Sequence, residues 1–288
     1  MRMYRVLIKN WLLKIDESER LYTVLSKAHK TCVDFYRLLF VQSSLASLEK
    51  RREKISIELA DKLGFTVKYG PFKGLRLSSE LTWGKSDIAP MLLGTYEQNL
   101  LDFISTRKTE IRNFINLGAG DGYYAAGMLL SRLSRFTYAY EMNETSRDLI
   151  RFHMKINNLT DNFQILKIAT SDFLSDFTDA ELQDSLILVD IEGGEYELFK
   201  AVDMTRLKRT LVIIELHEFL DRSDSKVADL LLKLSLSHSL TLTHTGSRNL
   251  DGFEELEGMP DSDRWLLVSE GRPKNMKWVL CEPMTPRS

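Results

Sequence analysis

Cysteine is scarce in this chain, which has two in 288 residues, Cys32 and Cys281. A disulfide framework needs more, so a reducing compartment is expected. No Cys/His cluster has the spacing of a zinc site. No apolar run is long enough to span a bilayer. Met1–Ile15 mixes Arg2, Arg5, Lys9 and Lys14 with Leu, Ile and Trp11, without the uninterrupted apolar core and cleavage site of a signal peptide. These absences read as a cytoplasmic protein. Internal repeats and low-complexity stretches are missing too. The net charge is only −2, but it is unevenly spread. Residues 1–63 carry 13 Lys/Arg against 8 Asp/Glu, so the remainder is acidic. A basic N-terminal part could touch an anionic surface, although its interspersed charges fit solvated helix faces better. The acidic remainder argues against a nucleic-acid partner.

What is present is α/β patterning. Apolar runs of strand length at 111–117, 136–141, 163–169, 185–190 and 210–216 alternate with helical stretches, such as Thr145–Asn157 with Leu149, Phe152 and Ile156 on one side. That alternation predicts a parallel sheet covered on both faces. Ser239–Thr243 and Met276–Leu280 read as further strands, with a helix over Asp263–Glu270 between them. Upstream, residues 18–63 read as helix, with Leu21, Leu25, Ala28, Cys32, Phe35 and Leu39 on one face, continued by Leu45, Leu48, Ile55 and Leu59. That face predicts packing against the rest of the chain or a homodimer contact. Phe65–Tyr69 and Phe72–Leu77 flank Gly70-Pro71 as a hairpin. A loop through Trp83–Asp87 then leads into a helix around Ile88–Ser105. The expected division is a helical segment at 1–64, a hairpin and lead-in helix at 65–107, and a catalytic domain at 108–288.

The stretch around which this is built is Phe114–Gly122. A strand runs into Gly118, Gly120 and Gly122, and Tyr123–Leu133 follows as a packed helix. Strand, glycine turn and helix bring backbone amides close to a nucleotide. The spacing is G-x-G-x-G, not the G-x-G-x-x-G of dinucleotide enzymes, and no Lys-Ser/Thr follows as in a phosphate loop. A smaller, uncharged or cationic nucleoside suits the turn better. Glu141, 21 residues beyond Gly120 at the tip of the next strand, is placed to accept from both ribose hydroxyls. Ligands of open α/β sheets bind at the carboxyl ends of the strands. The third strand supplies Thr170, Ser171 and Asp172, with Asp172 positioned either to accept from an adenine amino group beside Phe173 or to cap a turn. The fourth ends in Asp190-Ile191-Glu192-Gly193-Gly194-Glu195, and the fifth in Glu215-Leu216-His217-Glu218. Carboxylates so close raise one another's pKa or recruit a cation. A magnesium or manganese ion on Asp190, Glu192 or Glu215 is one option.

The stretches Asn-Leu-Gly-Ala-Gly-Asp-Gly (116–122) and Tyr-Glu-Met-Asn (140–143) together resemble the cofactor half of class I S-adenosylmethionine-dependent methyltransferases. Leu-Val-Asp-Ile-Glu-Gly-Gly-Glu (188–195) and Leu-Gly-Thr-Tyr-Glu (93–97) are similar to their FkbM-type branch. The resemblance covers roughly residues 90–220. It implies a Rossmann-like, seven-stranded, mostly parallel sheet with an antiparallel last strand slotted beside its predecessor. It implies S-adenosylmethionine as cofactor, held by Asn116, Gly118, Ala119, Gly120, Gly122, Glu141, Met142, Thr170, Asp172 and Asp190, with Tyr96 or Glu97 near the methionine end. Asn116 stands where the family usually has an acid. The acceptor implied is a hydroxyl of a sugar, glycan or small natural product. His217 has the intrinsic pKa of a base near neutrality, with Asp190 orienting the acceptor or taking the proton itself and Glu215 beside them. A non-catalytic nucleoside-binding or assembly protein on the same fold is the alternative, and a nicotinamide enzyme is disfavoured by the glycine spacing.

Overall fold

The structure is a computed structural model that describes residues 27–33, 35, 44–82, 85–106, 111–218, 224–272 and 274–284. The chain divides into two compact units, Met1–Arg51 and Arg52–Ser288. In the first, residues 27–33 and 44–51 are helical, and Phe35, Leu45 and Leu48 are exposed. Leu21, Leu25, Leu39 and the basic N-terminus lie outside the described residues, as does Trp83. Among the described residues, the expected apolar helix face is buried at residues 52–63 (α1), which place Ile55 and Leu59 against Leu93, Leu250, Leu256 and Leu267.

The second unit is organised by a seven-stranded sheet in the order β3-β2-β1-β4-β5-β7-β6. Its strands are β1 (Ile111–Leu117), β2 (Ser134–Tyr140), β3 (Phe163–Leu166), β4 (Leu186–Val189), β5 (Leu211–Leu216), β6 (His238–His244) and β7 (Lys277–Pro283). The five-strand core β3-β2-β1-β4-β5 pairs in parallel, and β7 is antiparallel to both β5 and β6. This is a Rossmann-like, mostly parallel seven-stranded sheet, with the antiparallel last strand slotted beside its predecessor as the resemblance implied. The continuous apolar runs are explained by two cores. Leu186 and Leu188 of β4 face one cluster with Phe114 and Met128, and Ile187 and Val189 face the other with Ile115, Val212 and Phe199. A strand alternates its side chains between faces, so a sheet covered on both needs apolar residues at every position.

The helices are α2 (Ile88–Leu92), α3 (Gln98–Ser105), α4 (Tyr123–Leu130), α5 (Glu144–Ile156), α6 (Asp179–Leu182), α7 (Glu195–Ala201), α8 (Asp224–Ser235) and α9 (Asp261–Val268). Two differ from expectation. The single helix at Ile88–Ser105 is two, broken where Gly94 and Glu97 take φ of 68° and 46°. On α5 the buried face is Ser146, Ile150, His153 and Met154, while Phe152 is 45% exposed. The apolar count had picked the wrong face, because a histidine and a serine with buried partners take the inner one.

The hairpin forms a single bridge between Thr66 and Arg76. Its Phe72 lies edge-on to Tyr123 and Tyr124 of α4. A Cβ at Gly127 would come within 2.4 Å of that ring, so glycine lets the hairpin sit down on α4. No helix among the described residues is long and apolar enough to cross a membrane.

Candidate active site

The glycine turn is shaped by what surrounds it. Gly118 has φ of 83°, and a Cβ there would lie 1.7 Å from the carbonyl oxygen of Asp190. Any side chain would drive β1 and β4 apart, so the tips of these two strands can approach only at a glycine. Gly118 and Ala119 both donate their amides to the Tyr140 carbonyl, at 3.0 and 2.9 Å. The Glu141 carboxylate then crosses to the turn. Oε2 accepts from the Gly120 amide at 2.8 Å and Oε1 from the Asn143 amide at 2.7 Å. Asn143 in turn caps α5 through Thr145 and Ser146. One buried acid therefore ties the turn to the end of β2, and its remaining lone pairs are available to the cavity beside it.

His153 belongs to the same frame and was not singled out in the sequence. Its Nε2 accepts from the Ser78 amide at 2.8 Å, and Nδ1 lies 2.7 Å from the Asp121 carbonyl. An amide can only donate and a carbonyl only accept, so the ring is neutral with its proton on Nδ1. Burial lowers its pKa in the same sense. The imidazole thus pins the strand leaving the hairpin to the glycine turn.

Across the cavity stands a cluster of acids. Glu195, fully buried at the start of α7, accepts from the Gly193 amide at 2.9 Å and the His217 amide at 3.1 Å, and lies 3.2 Å from His217 Nδ1. The amino end of a helix favours such an anion. His217 Nε2 points the other way, 3.4 Å from Glu192 Oε2 and 3.6 Å from Asp190 Oδ1. Burial pushes His217 down, but the hydrogen bond and charge of Glu195, then Asp190 and Glu192, leave it raised above 6.5. Asp190 is raised by burial, and the His217 charge opposes that in part. Behind them Arg272 is shared by three carboxylates: Glu215 at 2.7 Å, Glu270 at 2.7 Å, and Glu97. Glu97 also accepts from the Tyr124 hydroxyl at 2.7 Å, and Arg248 pairs with Glu270. The Arg272 guanidinium lies 5.8 Å from the centre of the Tyr96 ring.

This crowding has a measurable consequence. Burial first, then the charges of Asp190 and Glu97, push Glu215 up to about 11 from an ordinary 4.5. Its neutral form is the one the folded state favours. That contribution to stability is complete below pH 4.5 and is lost as the pH climbs towards the folded value. Glu215→Gln keeps a neutral side chain of the same shape. Urea unfolding between about pH 5 and 9 should show the wild-type protein losing ground steadily against this variant. Parallel curves would mean that Glu215 is ionised throughout.

The two halves face one cavity of ≈ 1110 Å³. Asn116, Gly118, Ala119, Gly120, Glu141, Met142, Tyr96, Asp190 and Glu192 of the expected set line it. Others do not. Gly122 sits behind the turn as the residue before α4, where a Cβ would meet Ile150 at 2.9 Å. Thr170 and Asp172 are exposed and bonded to each other, and this hydrogen bond lowers the Asp172 pKa. Phe173 is buried in the core beneath them. The adenine contact expected of Asp172 is therefore not in place, because the chain turns outward after β3 and leaves Ile168, Ala169 and Ser171 on the wall. His217 and Glu215 are 2% and 1% exposed and lie behind Asp190 and Glu192, off the cavity wall. The expected acid set for a cation also shifts. Glu215 is engaged by Arg272, and the residues whose donor atoms converge are Asp190, Glu192 and His217. Arg272, Glu270 and Arg248 were missed altogether. Arg272 meets Glu97 across 175 residues, and no local pattern announces such a pair.

No protein-family model matches the sequence, and no curated protein matches it significantly. Among solved structures, the human methyltransferase 10 domain containing protein aligns at 16% identity over 83% of this chain and 98% of that one, with a TM-score of 0.47. The METTL16 MTase domain (crystal form 2) aligns at 17% identity over 66% of each chain, just under two thirds, with a TM-score of 0.43. An rRNA methylase from Streptococcus thermophilus aligns at 12% over 64% of this chain and 93% of that one, at 0.42. The fold assignment stands on the strand order itself.

Proposed function

We propose that this protein is an S-adenosylmethionine-dependent methyltransferase that methylates a hydroxyl of a neutral acceptor such as a sugar, glycan or small natural product. The observation that carries this reading is the joint opening of the Gly118–Gly120 turn, Glu141 and the Asp190 strand end onto one cavity. At ≈ 1110 Å³ it exceeds the roughly 300–1,000 Å³ that one small ligand usually takes, leaving room for cofactor and acceptor together. The glycine turn, which lets the ligand pass close to the backbone, and the free lone pairs of Glu141 would hold the adenosine, with Met142 and Ile168 at the open side. The FkbM-type reading gains from the meeting of its two motifs: Tyr96 and Glu97 share a wall with Asp190 and Glu192. The lining sets Glu97, Asp190, Glu192 and Glu270 against two arginines, Arg272 and Arg52, an acidic balance that suits a neutral polyol and repels a phosphate-bearing acceptor.

In the proposed reaction the acceptor oxygen attacks the sulfonium methyl in line. The sulfur–carbon bond breaks as the oxygen–carbon bond forms, and S-adenosylhomocysteine leaves as a neutral thioether. Asp190, on the cavity wall, takes the hydroxyl proton, and its raised pKa suits that task. His217 and Glu215 set that pKa from behind. Calorimetry is the test. S-adenosylmethionine should bind saturably, one per chain, and NAD should not. Failure to bind the sulfonium cofactor would remove the enzyme reading and favour the non-catalytic alternative.

A further inference from the structure

We propose that Asp121 of the glycine turn latches a strap, Leu77–Thr82, which must swing out for the nucleoside cofactor to enter and leave. This rests on the placing of that cofactor beside Gly118, Gly120 and Glu141. Leu77, Leu81 and Thr82 line the same cavity as those three residues. The strap itself belongs to no helix and to no strand of the sheet. At its start the Leu77 amide still donates to the Phe65 carbonyl of the hairpin, at 2.8 Å. Beyond that point side chains of the cofactor half hold it. The Ser78 amide donates to His153 of α5 at 2.8 Å, and the Thr82 amide to Asp121 Oδ2 at 2.7 Å. The Thr82 hydroxyl donates to Asp121 Oδ1 and lies 2.9 Å from the Ser146 hydroxyl of α5.

The two ends of the strap differ in a way that sets where it opens. Ser78 is 6% exposed, and its partner His153 is fully buried. Thr82 is exposed, with Asp121 half-buried beside it. Hydrogen bonds open to water break at lower cost than buried ones, so the strap hinges at Ser78 and lifts from Thr82. Asp121 serves both ends. Its backbone carbonyl lies 2.7 Å from Nδ1 of His153 and fixes that ring's tautomer, and its carboxylate takes both donors of Thr82. Residues 118–122 contain one charged side chain, and this is its task. Asp121 acts on the cofactor through the strap, as a positioning residue.

Surface plasmon resonance on the full chain, with S-adenosylmethionine and S-adenosylhomocysteine as probes, reads the two rates separately. Asp121→Ala should raise the dissociation rate about 10- to 100-fold without lowering the association rate. Asp121→Asn should return it to within about threefold, because its oxygen accepts from the Thr82 amide and its nitrogen donates to a hydroxyl that turns round. Thr82→Val, which keeps the backbone bond alone, should fall between the two. Glu80→Gln, exposed on the strap, should change neither rate. An unchanged dissociation rate in Asp121→Ala overturns the latch. So does a lower association rate, the mark of a turn that has lost its shape. Hydrogen exchange of the unliganded chain tests the strap without any cofactor. Asp121→Ala should speed exchange across residues 78–82 and leave β1 and β4 protected. Equal exchange overturns the proposal. Faster exchange in the variant, with no S-adenosylmethionine bound by the wild-type chain, supports the latch and sinks the cofactor reading alone.

Discussion

Replacing Asp190 by asparagine should lower kcat by about two to four powers of ten while leaving the affinity for S-adenosylmethionine nearly intact. Asparagine matches the shape of aspartate but cannot take a proton. The position is singled out by placement: of the three candidate catalytic groups, Asp190 lines the cavity, whereas His217 and Glu215 stand behind it. A substrate hydroxyl can reach only the first. His217→Ala should therefore cost less than Asp190→Asn and should show itself in a different readout. The His217 charge lowers the Asp190 pKa against the effect of burial. Without it Asp190 holds its proton to higher pH, so the acid limb of kcat/KM moves upward. A histidine that served only packing would lower activity without moving that limb. Full turnover in the asparagine variant would remove Asp190 as the base and leave the fold assignment standing.

The sequence made one half of this site readable and hid the other, for a physical reason. Gly118, Gly120 and Glu141 lie on adjacent strand tips joined by a short helix, so their spacing along the chain carries their spacing in space. Period and punctuation were enough to place them. The sheet was legible on the same grounds, since β4 is apolar at every position, and β5 at every position but Glu215, because both faces are covered. Arg272 and Glu270 could not be placed this way. They reach the cavity through the segment between α9 and β7, and their partners Glu97 and Glu215 lie 175 and 57 residues away. Asp172 failed in the opposite manner. It is local and correctly spaced, but whether a side chain after β3 turns inward depends on the φ and ψ of the turn, and Thr170 captures it outside. His153 was hidden because its role is to join backbone groups at Ser78 and Asp121, which a histidine on a helix does not reveal.

Truncating Glu141 to alanine should weaken S-adenosylmethionine binding by about 100-fold or more. Its two oxygens each accept from one backbone amide, Gly120 and Asn143. Removing the carboxylate leaves both amides without their partner, loosens the turn from the tip of β2, and takes away the acceptor proposed for the ribose. Hydrogen bonds to a charged group contribute roughly 1.5–3 kcal/mol each. Losing the equivalent of two on binding is about 3 kcal/mol or more, and each 1.4 kcal/mol is about a factor of ten in affinity. Glutamine does not rescue the position. Its amide nitrogen is a donor, so in either orientation it meets one of those two N–H groups donor to donor. Met142→Ala, on the neighbouring residue and 74% exposed, removes only apolar cover and should cost far less. Calorimetry with S-adenosylmethionine and S-adenosylhomocysteine on the three variants separates these cases, because the homocysteine form lacks the sulfonium charge. An equal loss for both ligands in Glu141→Ala places the effect at the adenosine. Undiminished affinity for both would show that the nucleoside lies elsewhere, and with it the assignment of this cavity to methyl transfer would fall.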